Sequence, residues 1–242
     1  MQFPSLRDML QNGVHFGHQV SRWHPKMRPF IYGVKNGIHV LDLEKTSKRL
    51  QEAAEFAKKT AFEGGTILFV GTKRQAQDII EKAAKECKMP YANKRWVGGL
   101  LTNFPVLLKL IKKYLNLKMR QETGKLAKYT KKEQLEFSRE IEKLEDMVGG
   151  IASLEKMPDV VFILDLKREK IAYAEALKKK VKVIAVCDTN VDPTCVDYPI
   201  PANDDATKSI ELIVKVIAQA INEGRGNRVA ALSQETQTST AF

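Results

Sequence analysis

Three uninterrupted apolar runs set the frame of the chain: Thr66–Val70, Val160–Asp165 and Val183–Asp188. Runs of this length without polar alternation predict strands buried on both faces, as in a parallel sheet covered by helices. A helical period fills the spaces between them. Leu50, Ala53, Ala54 and Ala57 recur on one face between Lys45 and about Glu63, and Gly64–Gly65 ends that helix. Helices are predicted likewise over Arg74–Lys88, over Arg168–Lys179 and from Ala206 to about Asn222, the last capped by Asp204 and Asp205. Strands alternating with helices predict an α/β fold with a doubly wound, flavodoxin- or Rossmann-like parallel sheet. Ile38–Leu43 reads as one more short strand, whereas residues 1–37, broken by glycines and prolines, read as irregular.

The alternation breaks between residues 104 and 154. Phe104, Leu108, Ile111 and Leu115 recur at spacings of four, three and four, and Phe137, Ile141, Leu144, Val148 and Ile151 form a second such seam. Two seams joined by Thr123–Thr130 predict an inserted antiparallel coiled-coil helical hairpin. The domain layout follows: residues 1–103 and 155–224 as a discontinuous α/β domain, 104–154 as the hairpin, and the polar stretch 225–242 as a disordered tail. Charge is lopsided along the hairpin. Val106–Lys132 holds nine basic residues and one acid, and Glu133–Gly150 two basic residues and six acids. Two readings stand side by side: arms that attract each other, and a basic arm that lies along phosphates.

A hydrophobic fraction of 43% over 242 residues supports a real core, and the formal net charge of +11 favours a polyanionic partner. Cys87, Cys187 and Cys195 form no CxxC pair and no even disulfide set, which reads as a reduced, cytoplasmic chain. No run approaches the roughly 18 apolar residues of a membrane span, and the first ten residues lack a signal-peptide pattern.

Catalytic signatures are missing. No GxGxxG follows a strand, and there is no GxxxxGK[ST], GxSxG or HExxH, so an enzyme is not expected. The nearest phosphate loop is Gly71-Thr72-Lys73-Arg74, a βα turn with two cations at a helix start; its one glycine is too few for a nucleotide fingerprint, and it suits a single RNA phosphate or a plain turn better. No cofactor is called for. His18, Asp188, Asp204 and Asp205 are weak candidates for a structural divalent ion, since the acids fall at strand ends where open α/β sheets place their sites; helix-cap, turn and packed-loop roles are the preferred reading.

Nucleic-acid contact has better support. Arg22, Lys26 and Arg28 are interleaved with Trp23 and Phe30, cations for phosphates beside aromatic faces for bases or sugars; Pro25 and Pro29 predict an extended course. Lys94, Arg95 and Trp96 repeat the idea. Gly98 and Gly99 after them leave room for backbone to approach RNA, and Thr102 and Asn103 offer hydroxyl and amide groups. The tryptophans read first as core, with Trp23 kept as a possible contact. Lys109, Lys112 and Lys113 extend the basic surface along the hairpin.

These segments carry a resemblance. His15-Phe16-Gly17-His18, Trp23-His24-Pro25-Lys26-Met27, Arg95 through Phe104, Pro158-Asp159, Asp188-Thr189-Asn190 and Asn203-Asp204-Asp205-Ala206 occur in order, and together the sequence resembles the family of small-subunit ribosomal protein two, bacterial type. The resemblance implies the fold predicted above and a non-catalytic role as a constituent of the small ribosomal subunit. It further implies binding of ribosomal RNA by shape and phosphate contacts, and neighbouring small-subunit proteins as partners, with help in docking the messenger-capturing S-one protein. Neither a membrane nor a small-molecule substrate is implied. Lys178–Lys182 is more basic than the family's usual lead into a strand, and Ala202 stands where glycine is common.

Overall fold

The computed structural model describes residues 3–239, with side chains through residue 231. The segment read as irregular is ordered. Ser5 caps a short helix, α1 (Leu6–Gln11), in a reciprocal capping box with Asp8. Then β1 (Phe16–Gln19), β2 (Ile31–Lys35) and β3 (Ile38–Leu41) form an antiparallel sheet in the order β1-β3-β2. Asn36 and Gly37, at φ 52° and 74°, close the β2–β3 hairpin with the two left-handed residues that a tight primed turn requires.

Beyond it lies α2 (Leu43–Phe62), capped by Asp42, and then a parallel sheet in which β4 (Ile67–Val70), β6 (Val160–Leu164) and β7 (Lys182–Cys187) are the predicted runs, while β5 (Tyr91–Ala92) and β8 (Tyr198–Pro201) are edge strands that no apolar run announced. All neighbouring pairs are parallel, in the order β5-β4-β6-β7-β8. Alternate residues of the buried strands serve two cores. Ile67, Phe69, Phe162 and Ile184 pack toward α2, α3 (Gln77–Cys87) and α7 (Thr207–Ser239). Leu68, Val70, Val161, Ile163 and Ala185 pack toward α6 (Lys170–Lys179), the 96–101 loop and the insertion. Phe69 and Phe162 are register partners with rings edge to face at 5.3 Å, so truncating either to alanine costs about 3–5 kcal/mol.

The insertion is two helices, α4 (Phe104–Glu122) and α5 (Lys131–Val148), joined by a turn at 123–130 and packed on one another. Thr130 and Glu133 form the capping box of α5. The predicted seam of α4 holds in part: Ile111 is buried and Phe104 and Leu108 are half-buried, but Leu115 is 45% exposed, and Leu107, Tyr114 and Leu117 complete the buried side. On α5 the predicted Ile141, Leu144 and Val148 are buried. These residues belong to the same apolar cluster as the sheet face beneath, so the insertion shares the domain's core.

The end of the chain also departs from expectation. α7 does not stop near Asn222; residues 225–239, read as a disordered tail, continue it, and 240–242 lie outside the described residues. Gly224 lets α7 approach α2 closely, because a Cβ there would stand 2.2 Å from the Lys58 carbonyl oxygen. Arg225 then donates to the Cys87 carbonyl. Arg225, Arg228, Ala230 and Ala231 favour helix, and extending a helix that is already anchored avoids the cost of nucleation.

Candidate nucleic-acid interface

The carboxyl ends of β4, β6 and β7 are where this topology places ligands. Here the protein fills the position with its own groups. The Thr72 amide and hydroxyl both donate to Glu169. Lys73 Nζ lies 3.3 Å from Asp165, 2.9 Å from Asp204 and 2.6 Å from Asp205. Burial disfavours the ammonium, but its hydrogen bonds to Asp205 and Asp204 and their charge outweigh it and hold the Lys73 pKa above the ordinary lysine value. The predicted phosphate contact at Lys73 is therefore turned inward, because three aspartates enclose it, and a nucleotide over this turn finds the Thr72 amide and the lysine taken. Arg74, next in sequence, is exposed.

The four weak metal candidates do come together. Gly17 makes this possible: a Cβ there would stand 2.5 Å from Thr189 Cγ2, so only glycine lets β1 run against that residue. The His18 amide donates to Thr189 Oγ1, and its ring reaches Asp188 at 3.1 Å and Asp205 at 3.7 Å. The hydrogen bond to Asp188 raises the His18 pKa against the opposing effect of burial. Burial, then the neighbouring Asp165 and Asp188, push the Asp204 carboxyl up to about 7, with Lys73 acting against them. One ligand atom from each of His18, Asp188, Asp204 and Asp205 lies within 4.8 Å of the others, and Asp204 Oδ2 is buried with no hydrogen-bond partner. Asp204 and Asp205 are drawn into this cluster, and the turn that leads into α7 is held by Asn203, whose Oδ1 accepts from the amides of Asp205 and Ala206.

Ser21–Phe30 is not extended. Val20–Arg22 and Pro25–Phe30 are short 3-10 turns, since proline suits the first position of a turn as well as an extended chain and buried Met27 draws the segment inward. Trp23 is half-buried against His39, with ring centroids 5.0 Å apart. Lys26 is tied to Asp192 at 2.6 Å. Around residue 96 the loop is organised by one carboxylate: Glu175 accepts from Trp96 Nε1, from the amides of Gly99, Leu101 and Thr102, and from the Thr102 hydroxyl. Burial raises its pKa, but these donors outweigh burial and hold it below the ordinary glutamate value. Trp96 is core, as predicted, while the donors of Gly99 and Thr102 serve Glu175. Nothing in the motif pattern pointed to this glutamate; its one signal is an acid three residues after Ala172 on the inward face of α6.

The predicted cations thus divide. Lys26, Lys73, Lys94 (to Asp146) and Lys113 (to Glu140) are held by acids. Arg22, Arg28, Arg74, Arg95, Lys109 and Lys112 are exposed and, among the described residues, have no acid within ion-pair distance. Around them the described residues include no helix long and apolar enough to cross a membrane.

Residues 9–224 match the family described as Ribosomal protein S2. The chain is 48% identical over 237 residues to the small ribosomal subunit protein uS2 of Coprothermobacter proteolyticus, covering 98% of this chain and 88% of that protein. It is 48% identical to the uS2 protein of a Nitratiruptor species over 98% of this chain and 89% of that one. To that of Dictyoglomus thermophilum it is 49% identical, over 92% and 91%. A chain matched over nearly its whole length at this identity, with the expected sheet and the ordered motifs in place, belongs to the ribosomal protein S2 family, a structural and non-enzymatic family of the small ribosomal subunit.

Proposed function

We propose that this chain binds small-subunit ribosomal RNA by shape, through phosphate contacts from Arg22, Arg28, Arg74, Arg95, Lys109 and Lys112, as part of the cytoplasmic ribosome. The observation that carries the reading is the division of cations: these six stand exposed without acid partners while their neighbours are neutralised internally. Each free cation that meets a phosphate releases counterions. Replacing Arg95 by glutamate should weaken incorporation into reconstituted small subunits without unfolding the protein, and replacing Lys94 in the same way should weaken it less. Undiminished incorporation of a folded Arg95→Glu variant overturns the site. The hairpin is, in this reading, the arm toward neighbouring small-subunit proteins, the S-one protein among them. Leu115 and Met119, one turn apart on α4 and 45% and 49% exposed, support that role. Loss of S-one from particles carrying Leu115→Asp and Met119→Asp, with RNA binding retained, is the expected result.

A second reading concerns the acid cluster, where we infer a structural divalent cation. Lys73 takes Asp204 Oδ1 and Asp205 Oδ1, which leaves Asp204 Oδ2 without a partner and Asp205 Oδ2 beside His18. One imidazole with three carboxylates suits zinc or manganese better than calcium. Dialysis of the full chain against each metal, followed by metal analysis and thermal unfolding, tests this. The expected result is about one equivalent bound and a raised Tm, both lost in Asp204→Asn; no retained metal overturns it.

A further inference from the structure

The loop held by Glu175 leaves a hollow of about 360 Å³ between the Gly98–Gly99 turn and the first turns of α4, within the size range of ligand clefts. Its apolar surface comes from Val97, Val106, Leu107 and Leu110, and its rim from Asn103, Lys109 and Lys113, with no acid among the lining residues. A Cβ on Gly98 would meet no heavy atom within 4 Å, so the backbone there is bare and the space beside its Cα is open. Gly99, at φ +88°, makes the turn. Five bonds to Glu175 hold this wall, so little ordering cost attends filling the hollow.

The rim is unevenly charged. Lys113 is committed to Glu140, whereas Lys109 has no acid partner. Asn103 begins α4 without the side-chain cap bond that an asparagine there usually makes, so its amide is free to donate and to accept. An apolar hollow lined also by an amide and a free ammonium offers what three parts of a nucleotide need: ring face, ring edge and phosphate.

We propose that the hollow receives one unpaired RNA base, its face on the Gly98 peptide and the aliphatic side chains, its edge at Asn103 and its phosphate at Lys109. The proposal rests on the RNA-binding reading and extends it, since phosphate contacts alone do not distinguish paired from unpaired RNA. An apolar side chain of a protein partner is the poorer occupant, because it leaves both Asn103 and Lys109 unused.

The test measures binding of the full chain to two RNA hairpins with the same stem, one fully paired and one carrying a single bulged 2-aminopurine. The bulged hairpin should bind roughly tenfold more tightly, as base stacking on a protein surface allows, and its emission should change on binding. Gly98→Leu adds a bulky side chain at a lining position with open space beside its Cα. It should remove the bulge advantage and leave affinity for the paired hairpin unchanged. Lys109→Gln should weaken both hairpins and flatten their salt dependence. Equal binding of the two hairpins by the unaltered chain overturns the proposal, as does a bulge advantage that survives Gly98→Leu. Failure to bind either hairpin overturns the RNA-binding reading itself.

Discussion

At the turn after β4 the Lys73 side chain is 12% exposed and its ammonium lies among three aspartates, whereas in the loop before α4 Arg95 is exposed and, among the described residues, has no acid within ion-pair distance. Both loops have a carboxylate in the place where a phosphate could sit, Glu169 at Thr72 and Glu175 at residues 96–102. They differ in what the acids consume. At the first loop, acids take the backbone amide and the cation together, and the result is a closed ion cluster. At the second, Glu175 takes amides, an indole N–H and a hydroxyl, all of them neutral donors. The loop is made rigid and the positive charge beside it stays available to a partner.

Removing Glu175 should have the largest effect. Glu175→Ala leaves five donors around a site 8% exposed, a loss of about 4 kcal/mol measured by urea unfolding. Glu175→Gln keeps one acceptor oxygen and should recover part of this. Acid dependence separates them further. Because the folded-state pKa of Glu175 is lowered, its contribution is present above the ordinary glutamate range and is lost as pH falls through the folded value. The gap between the unaltered protein and Glu175→Gln should narrow on acidification, and a gap that widens contradicts the account.

The Lys73 cluster should respond less. Lys73→Met removes the cation shared by Asp165, Asp204 and Asp205 and leaves like charges facing one another, a loss of about 2–3 kcal/mol by the same measurement. Asp205 is 56% exposed and His18 still balances Asp188, which softens the effect. RNA affinity per folded molecule should not change. If it falls as far as in Arg95→Glu, the two loops are not distinct in the way described.

This division was beyond the sequence. The buried runs of β4, β6 and β7 announce themselves because both faces are covered, and the cations at 94–95 and 109–113 are plain in the residue order. Their acid partners are not: Lys73 and Asp204 are 131 positions apart and Lys26 and Asp192 are 166 apart, and only the folded topology joins them. The face of α4 was unreadable for another reason. Val106, Leu107, Leu108, Leu110 and Ile111 spread over roughly 200° of the helix, a band wide enough that a four-three-four seam through Leu108 and Leu115 runs along its edge, while the sheet beneath takes its middle, at Leu107 and Ile111. The small antiparallel sheet did leave a trace in its Asn36–Gly37 dipeptide, outweighed by the prolines and glycines around it.

The smallest expected difference lies between two lysines one turn apart. Lys109→Gln and Lys113→Gln remove the same formal charge, but Lys113 is paired with Glu140 and Lys109 is not. An exposed pair of that kind adds about 0–1 kcal/mol to stability, so both variants should fold normally. In roughly 0.01 M salt, where charges are felt over about 30 Å, the protein's total charge governs and the two should weaken RNA binding alike. Near 0.15 M, with screening over about 8 Å, only a cation in contact with phosphate matters. There Lys109→Gln should remain weak, with a log–log salt slope shallower by about one, while Lys113→Gln should approach the unaltered protein. Parallel losses at both salt concentrations would mean that the pairing of Lys113 with Glu140 yields when RNA arrives, and that free and committed cations are set apart by the partner as much as by the fold.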